Sequence, residues 1–424
     1  MTKLALLFPG QGSQYVKMGK TLYEQSDLAR QTFDEADEVL KFELKKLCFE
    51  GDIQELTLTR NAQPAILTAS VAAYRVFMDQ FKTSPVCAAG HSLGEYSALV
   101  CSGAVRFSDA LRIVRQRGVF MQEAADALGT GAMAAIVGLD KKLIEEECGK
   151  ISTVSQIVVV SNYNAPTQTV ISGNKEAVEK AGSRLGEMGG TVTFLKVSAP
   201  FHSPLMKPAA DRLKEELSKY EYGSFNYPVI SNVTSLPYES EREIIENLTV
   251  QLVAPVQWVA SMQYLEKTGV DTAVEIGPQT VLRNLMKKNA QSIKTYSFDK
   301  SEDVEALSKS MKEQSTDSIK AEGPTVVTRC MAVAVCTRNT NWDNEEYRTG
   351  VIEPYKKMQQ MQEEIESSGK RPTVEQMKEA LSILGLIFRT KKTPVEEQIE
   401  RFNQIFDETG TRQLFPDFKM PGKE

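Results

Sequence analysis

The residues best suited to covalent chemistry lie in Gly90-His91-Ser92-Leu93-Gly94, a G-x-S-x-G pentapeptide between an apolar run, Val86 to Ala89, and a helical stretch, Leu93 to Val100. Strand, turn and helix in that order are the context in which this motif presents a nucleophilic serine. Gly90 and Gly94 remove side chains where strand and helix come together, so Ser92 projects from a tight turn at a helix N-terminus. The first N–H groups of that helix then point at the oxygen on which charge develops during acyl transfer. A serine hydroxyl needs a base, and the chain contains only two histidines, His91 and His202. His91 adjoins Ser92, and neighbours on such a turn point in different directions. His202, in Ser198-Ala199-Pro200-Phe201-His202-Ser203, is therefore the expected base. No Asp or Glu stands at an evident position to orient its ring. A backbone carbonyl can do so instead, which gives a Ser–His dyad.

A third residue, Arg117, stands out by its neighbours. It falls in the helical stretch Asp109 to Ala125, with Ile113, Val114, Phe120 and Met121 three and four residues away. Arg112, with Ser108, Asp109, Arg115 and Gln116 around it, reads as solvated. An inward guanidinium must be paired, and a carboxylate is its bidentate partner, supplied either by an internal Asp or Glu or by a ligand.

These residues require rigid elements behind them. Leu4 to Phe8 is a short apolar run ended by Pro9-Gly10 and reads as a buried strand; Pro64 to Phe81 reads as a buried helix. The strand–helix alternation predicts an α/β domain with a largely parallel sheet. From about Gly129 the pattern changes. Strands at Met133–Val137, Ile157–Val160, Val170–Ser172 and Thr191–Val197, with helices at Lys141–Lys150 and Lys175–Met188, make a small inserted α+β subdomain. Gln314 to Pro324 is polar and reads as a linker. Thr325 to Arg338 is strand-like, and three helices follow, one with Tyr347, Val351, Tyr355, Met358, Met361 and Ile365 on its apolar face. Pro354 either kinks that helix or marks a late start, and Thr373 with Gln376 and Thr393 with Glu396 match capping boxes.

Composition narrows the class. Of 424 residues, 41% are hydrophobic and 25% charged, which suits a globular protein of two or three domains. No apolar stretch reaches the roughly 20 residues that span a membrane, and residues 1–10 lack a secretion signal, so a cytoplasmic protein is expected. The net charge of −6 disfavours nucleic acid as partner. Six scattered cysteines form no CxxC pair, so neither a disulfide framework nor a metal site is expected. Asn232-Val233-Thr234 and Asn247-Leu248-Thr249 match the glycosylation pattern, which a cytoplasmic chain does not use.

With Phe8-Pro9-Gly10-Gln11-Gly12-Ser13-Gln14, Gly90 to Glu95, Gln116-Arg117-Gly118 with Met121-Gln122, Asn162-Tyr163-Asn164-Ala165-Pro166, Ala199 to His202, Gln251 with Pro255-Val256 and Trp258, and Glu275-Ile276-Gly277-Pro278, residues 1–310 resemble the malonyl-CoA:acyl carrier protein transacylase family of fatty acid synthesis and its free-standing members serving polyketide synthases. The resemblance implies a large α/β hydrolase-like domain (1–126 and 199–313) and an inserted ferredoxin-like subdomain (127–198); the linker at 314–324 and the mostly helical extension at 325–424 fall outside the family pattern. It implies Ser92 as nucleophile, His202 as base, the main-chain oxygen of Gln251 as the group orienting His202, and the amides of Gln11 and Leu93 as oxyanion hole. Arg117 would read the substrate carboxylate, and His91, Met121, Asn162 and Phe201 would line the pocket. Phe201 looks like the variant whose bulk disfavours a methyl-branched substrate. The implied partners are malonyl-CoA and a holo acyl carrier protein, with no cofactor. An acyl hydrolase using the same Ser–His pair is the alternative, but it would have no use for Arg117. Arg283, Lys287 and Lys288, at helical spacing, are candidate contacts for an acidic carrier protein.

Overall fold

A computed structural model of the chain describes residues 2–129, 131–195, 197, 199–318, 323–368 and 371–422. It falls into two compact units, Thr2–Ser310 and the stretch from Met311 onwards.

The first unit is built on a five-stranded sheet. Its strands are β1 (Leu4–Phe8), β2 (Cys87–Gly90), β7 (Val229–Ile230), β8 (Thr272–Glu275) and β9 (Lys294–Ser297), in the order β7-β2-β1-β8-β9 and all parallel. All five residues of β1 are buried, as expected of a central parallel strand covered on both faces. The register Phe8↔Gly90 ends β1 and β2 together. The loops that follow them, one carrying Gln11 and the other Ser92, therefore leave the sheet side by side. The helices Thr59–Phe81, Leu93–Cys101 and Phe107–Leu128 pack here. The first of these begins five residues before the expected Pro64 and carries that proline inside it.

The inserted sheet has strands β3 (Gly131–Val137), β4 (Val158–Ala165), β5 (Gln168–Asn174) and β6 (Thr191–Phe194) in the order β4-β5-β3-β6, all antiparallel. Helices Lys141–Ile151 and Lys175–Glu187 complete a βαββαβ chain. That order and connectivity are those of a ferredoxin-like subdomain, and Ala134, Ile136, Ile144, Val178 and Leu185 fill its core.

The second unit corrects the sequence reading in three places. The segment 314–324 does not begin as a linker: the helix Ser301–Ser318 runs through its first half, and 319–322 lie outside the described residues. Thr325–Arg338 is no strand. A capping box of Thr325 and Thr328 starts the helix Val326–Cys336, and Val326, Val327, Cys330, Val333 and Ala334 bury one face of it. A short apolar run carries both periodicities, and here the cap and the packing surface select the helix. Thr373–Gln376 forms its capping box, but Thr393 does not. The last helix starts at Val395 with Pro394 as cap residue, and the Thr393 hydroxyl has no partner among the described residues. Ahead of Pro354 the chain takes a π-helical turn, Arg348–Ile352, which absorbs the hydrogen bond that proline cannot make. These helices share a core of Met358, Leu381, Leu384, Phe388, Phe402 and Phe406.

Each unit has its own core, so a chain ending at Ser318 is expected to fold, with a cooperative melting transition, and still to become acylated at Ser92. A soluble, folded truncation that takes up no acyl group would place part of the site in the removed segment.

Candidate active site

Ser92 stands where β2 turns into the helix Leu93–Cys101, with φ 51° and ψ −104°. A residue with a side chain pays about 1–3 kcal/mol for such a backbone, so the surroundings must enforce it. Gly94 is pressed against β1: a Cβ there would lie 1.9 Å from the Phe8 carbonyl oxygen, and one on Gly90 would lie 1.9 Å from the Gly94 carbonyl carbon. Asn232, two residues beyond β7, clamps the turn from the end of the neighbouring strand. Its Oδ1 accepts from the Ser92 amide at 2.7 Å and its Nδ2 donates to the Gly90 carbonyl at 2.6 Å. Asn232 is 1% exposed, so the tripeptide that matches a glycosylation pattern is part of the elbow.

His202, in the loop after β6, also has a positive φ, 56°. Its Nε2 lies 2.8 Å from Ser92 Oγ and its Nδ1 lies 2.7 Å from the Gln251 main-chain oxygen. Gln251 is the last residue of the helix Ile244–Gln251, so its carbonyl has no acceptor duty inside the helix and is free for the ring. A carbonyl accepts and cannot donate, which places the ring proton on Nδ1 and leaves Nε2 as the acceptor for the serine proton. Burial first, then the Arg117 guanidinium and His91, push the His202 imidazole down to about 3, with the bond to Gln251 opposing them. That keeps the ring neutral and proton-accepting near neutral pH. His91 stands apart, its Nε2 2.8 Å from Asn164 Oδ1 and its ring 5.5 Å from that of Trp258.

Arg117 is 1% exposed, and among the described residues no Asp or Glu forms an ion pair with it. Its Nη2 donates to Ser92 Oγ at 3.2 Å and to Gln251 Oε1 at 2.9 Å, its face lies 5.3 Å from the Tyr96 ring, and its buried Nε has no partner. A buried guanidinium with a donor left over beside Ser92 Oγ can take a further acceptor. The sequence contains Glu95 at the end of its motif but gives it no role. The structure shows it 0% exposed, accepting from Gln251 Nε2 at 2.7 Å, the Asn232 amide at 3.2 Å and the Tyr238 hydroxyl. Burial pushes this carboxyl up to about 7 against those donors and Arg117.

A cavity of about 400 Å³ collects most of the expected residues: Gln11, His91, Ser92, Arg117, Met121, Asn162, Phe201 and His202 line it together. Leu93 and Gln251 lie behind the wall. Leu93 opens the helix after Ser92, where first-turn amides point outward. Met133, Leu195 and Val197, from the inserted subdomain, also line the cavity, and no local motif marks them. Among the described residues no group of three or more His, Cys, Asp or Glu is placed to hold a metal ion, and no helix is long and apolar enough to cross a membrane. Of the expected basic patch, Arg283 is committed to Asp303 at 2.9 Å, and Lys288 approaches Gln168 at 3.5 Å.

The sequence matches the family described as acyl transferase domain over residues 5–327. It is 39% identical over 399 residues, 94% of this chain and 99% of the relative, to a malonyl CoA-acyl carrier protein transacylase of Bacillus subtilis. It is 47% identical over 319 residues, 75% of this chain and 100% of the relative, to the protein of that name from Bacillus subtilis strain 168. The 399-residue match reaches into the C-terminal unit; the 319-residue relative has no counterpart for most of it. A solved malonyl-transacylase in complex with a holo type II PKS acyl-carrier protein is similar with TM-score 0.70 at 41% identity, covering 73% of this chain and all of that one.

Two histidines in the chain allow a direct check of the base. In ¹⁵N-histidine NMR, the His202 ring nitrogens should keep neutral-imidazole shifts from about pH 8 down to about pH 5, because the folded value lies below the ordinary 6.5. Since the unfolded chain takes up the proton that the buried ring refuses, this group should cost the fold stability progressively as pH falls below about 6.5. A His202 midpoint near 6.5 would contradict the buried, neutral base.

Proposed function

The chain belongs to the acyl transferase domain family, and on that footing we propose that it moves malonyl from malonyl-CoA to the phosphopantetheine thiol of a holo acyl carrier protein, for fatty acid or polyketide synthesis, through a malonyl ester on Ser92. One observation carries the reading: a serine bonded to a neutral histidine, with a buried, underused arginine 3.2 Å from the same hydroxyl. Malonate's free carboxylate is separated from its thioester carbon by a single methylene. A group that reads it must therefore stand beside the nucleophile, as Arg117 does.

His202 Nε2 takes the Ser92 proton as Oγ bonds to the thioester carbon. The amides of Gln11 and Leu93 stabilise the oxyanion. When the C–S bond breaks, the imidazolium returns its proton to the departing CoA sulfur and the ester remains on Ser92. In the second half, the phosphopantetheine thiol gives its proton to His202 and attacks the ester carbonyl, and the proton passes to Ser92 Oγ as the C–O bond breaks. Pairing of the malonyl carboxylate with Arg117 offsets one of the charges that hold down the proton affinity of His202. The base is thus strengthened when substrate is bound. An acyl hydrolase would leave Arg117 without a task. Phe201 on the cavity wall opposes a methyl branch, a discrimination of about 1–3 kcal/mol for a single methyl.

The cytoplasm is the site of this reaction in our reading; the cysteines are free thiols, as is usual there. We assign residues 2–310 to catalysis and leave the helical extension outside the chemistry. With Arg283 taken up by Asp303, only Lys287 and Lys288 of the candidate patch remain for the carrier protein.

Incubation with malonyl-CoA alone should give a malonyl ester on the peptide containing Ser92, seen by mass spectrometry and absent from Ser92→Ala. His202→Ala should slow acylation by roughly 10²–10⁴-fold. Label retained in Ser92→Ala, or an unaffected His202→Ala beside a dead His91→Ala, would refute the assignment.

A further inference from the structure

Gln251 joins Ser92, His202, Arg117 and Glu95. Its main-chain oxygen holds His202, its Nε2 donates to the Ser92 carbonyl at 3.0 Å and to Glu95, and its Oε1 accepts from Arg117. A side-chain amide has one accepting end and one donating end. Here the choice between them is dictated by the neighbours, because Glu95 Oε2 and the Ser92 carbonyl both accept from the amide and a guanidinium only donates. Glu95 takes the donating end, so the accepting end is left for Arg117. We propose that Glu95 is a positioning residue for substrate selection: it locks the Gln251 amide in the orientation that presents an acceptor to Arg117 and so aims the guanidinium at the acyl carboxylate. This rests on the reading of Arg117 as the carboxylate reader.

The placement supports the assignment. Glu95 lies in the first turn of the helix that Ser92 caps, where a carboxylate is favoured by the helix N-terminus. It is fully buried, and the Asn232 amide and the Tyr238 hydroxyl fix it from the far side. The same Asn232 clamps the Ser92 turn, so the acceptor of Gln251 and the nucleophile share one anchor. With this acceptor withdrawn, the Ser92 carbonyl at 3.0 Å is left as the one acceptor holding the donating end, and the amide is less restrained from turning its NH₂ towards Arg117, donor against donor.

Two substitutions separate acceptor position from charge. Glu95→Gln keeps an oxygen within reach of Gln251 and removes the charge, with the Tyr238 hydroxyl able to accept from the new NH₂. Glu95→Asp keeps the charge and withdraws the oxygen by one methylene. The measurement is the ratio of kcat/KM for malonyl-CoA to that for acetyl-CoA in self-acylation, read beside the melting temperature. We expect Glu95→Asp to lower the ratio by about tenfold, mostly through KM for malonyl-CoA, and Glu95→Gln to hold it within about threefold of the native chain. Proportionate loss for both acyl donors would mean a structural role only. An intact ratio in the Asp variant, or a collapsed ratio in the Gln variant, would each overturn the proposal, and the Gln variant decides alone if the Asp variant does not fold. No malonyl preference in the native chain would instead strike at Arg117 as reader and leave the Glu95–Gln251 geometry untouched.

Discussion

Everything in the active site depends on a strained turn. Ser92 and His202, whose side chains are hydrogen-bonded to each other, both have positive φ, at 51° and 56°. Each such backbone costs about 1–3 kcal/mol and persists only where the surroundings over-determine it. For Ser92 the enforcing contacts are packing and hydrogen bonds together. The helix is pressed onto β1 so closely that only glycine fits at Gly94, and Asn232 grips the amide on one side of the turn and a carbonyl on the other. The parallel register of β1 and β2 then sets the loop carrying Gln11 beside the loop carrying Ser92. The sheet therefore contributes position and the elbow contributes direction.

Electrostatics completes what packing begins. In the proposed reaction, a dyad with no carboxylate behind the histidine adds no further anion beside the malonyl carboxylate. The orienting group is a helix-end carbonyl, which fixes the tautomer and carries no net charge. Within the site Arg117 is buried, and its Nε has no hydrogen-bond partner. In the proposed reaction the substrate carboxylate supplies the partner, which couples binding to proton transfer through the same guanidinium.

Much of this was legible in the sequence, for local reasons. G-x-S-x-G between a strand and a helix pointed to Ser92, the small number of histidines pointed to His202, which the fold sets beside it, and apolar neighbours at helical spacing predicted the burial of Arg117. What was not legible depends on partners distant along the chain. Asn232 bonds to Ser92 from 140 residues away, and nothing around it in sequence marks more than a polar tripeptide. Glu95 was visible as a motif residue, but its acceptor role exists only once Gln251 and Tyr238 are folded around it. In the C-terminal unit, the apolar run after Thr325 suited a strand as well as a helix until a cap and a buried face decided it, and Pro394 took the cap position that Thr393 was expected to hold.

The central claim is that the acyl group rests on the protein between donor and acceptor. Isotopically labelled CoA mixed with malonyl-CoA and the full chain, with no carrier protein present, tests it most directly. A seryl ester formed reversibly moves label into malonyl-CoA, and the exchange should vanish in Ser92→Ala. Absence of exchange in a native chain that still malonylates a holo carrier protein would mean direct transfer between the two thiols, and would contradict the covalent route.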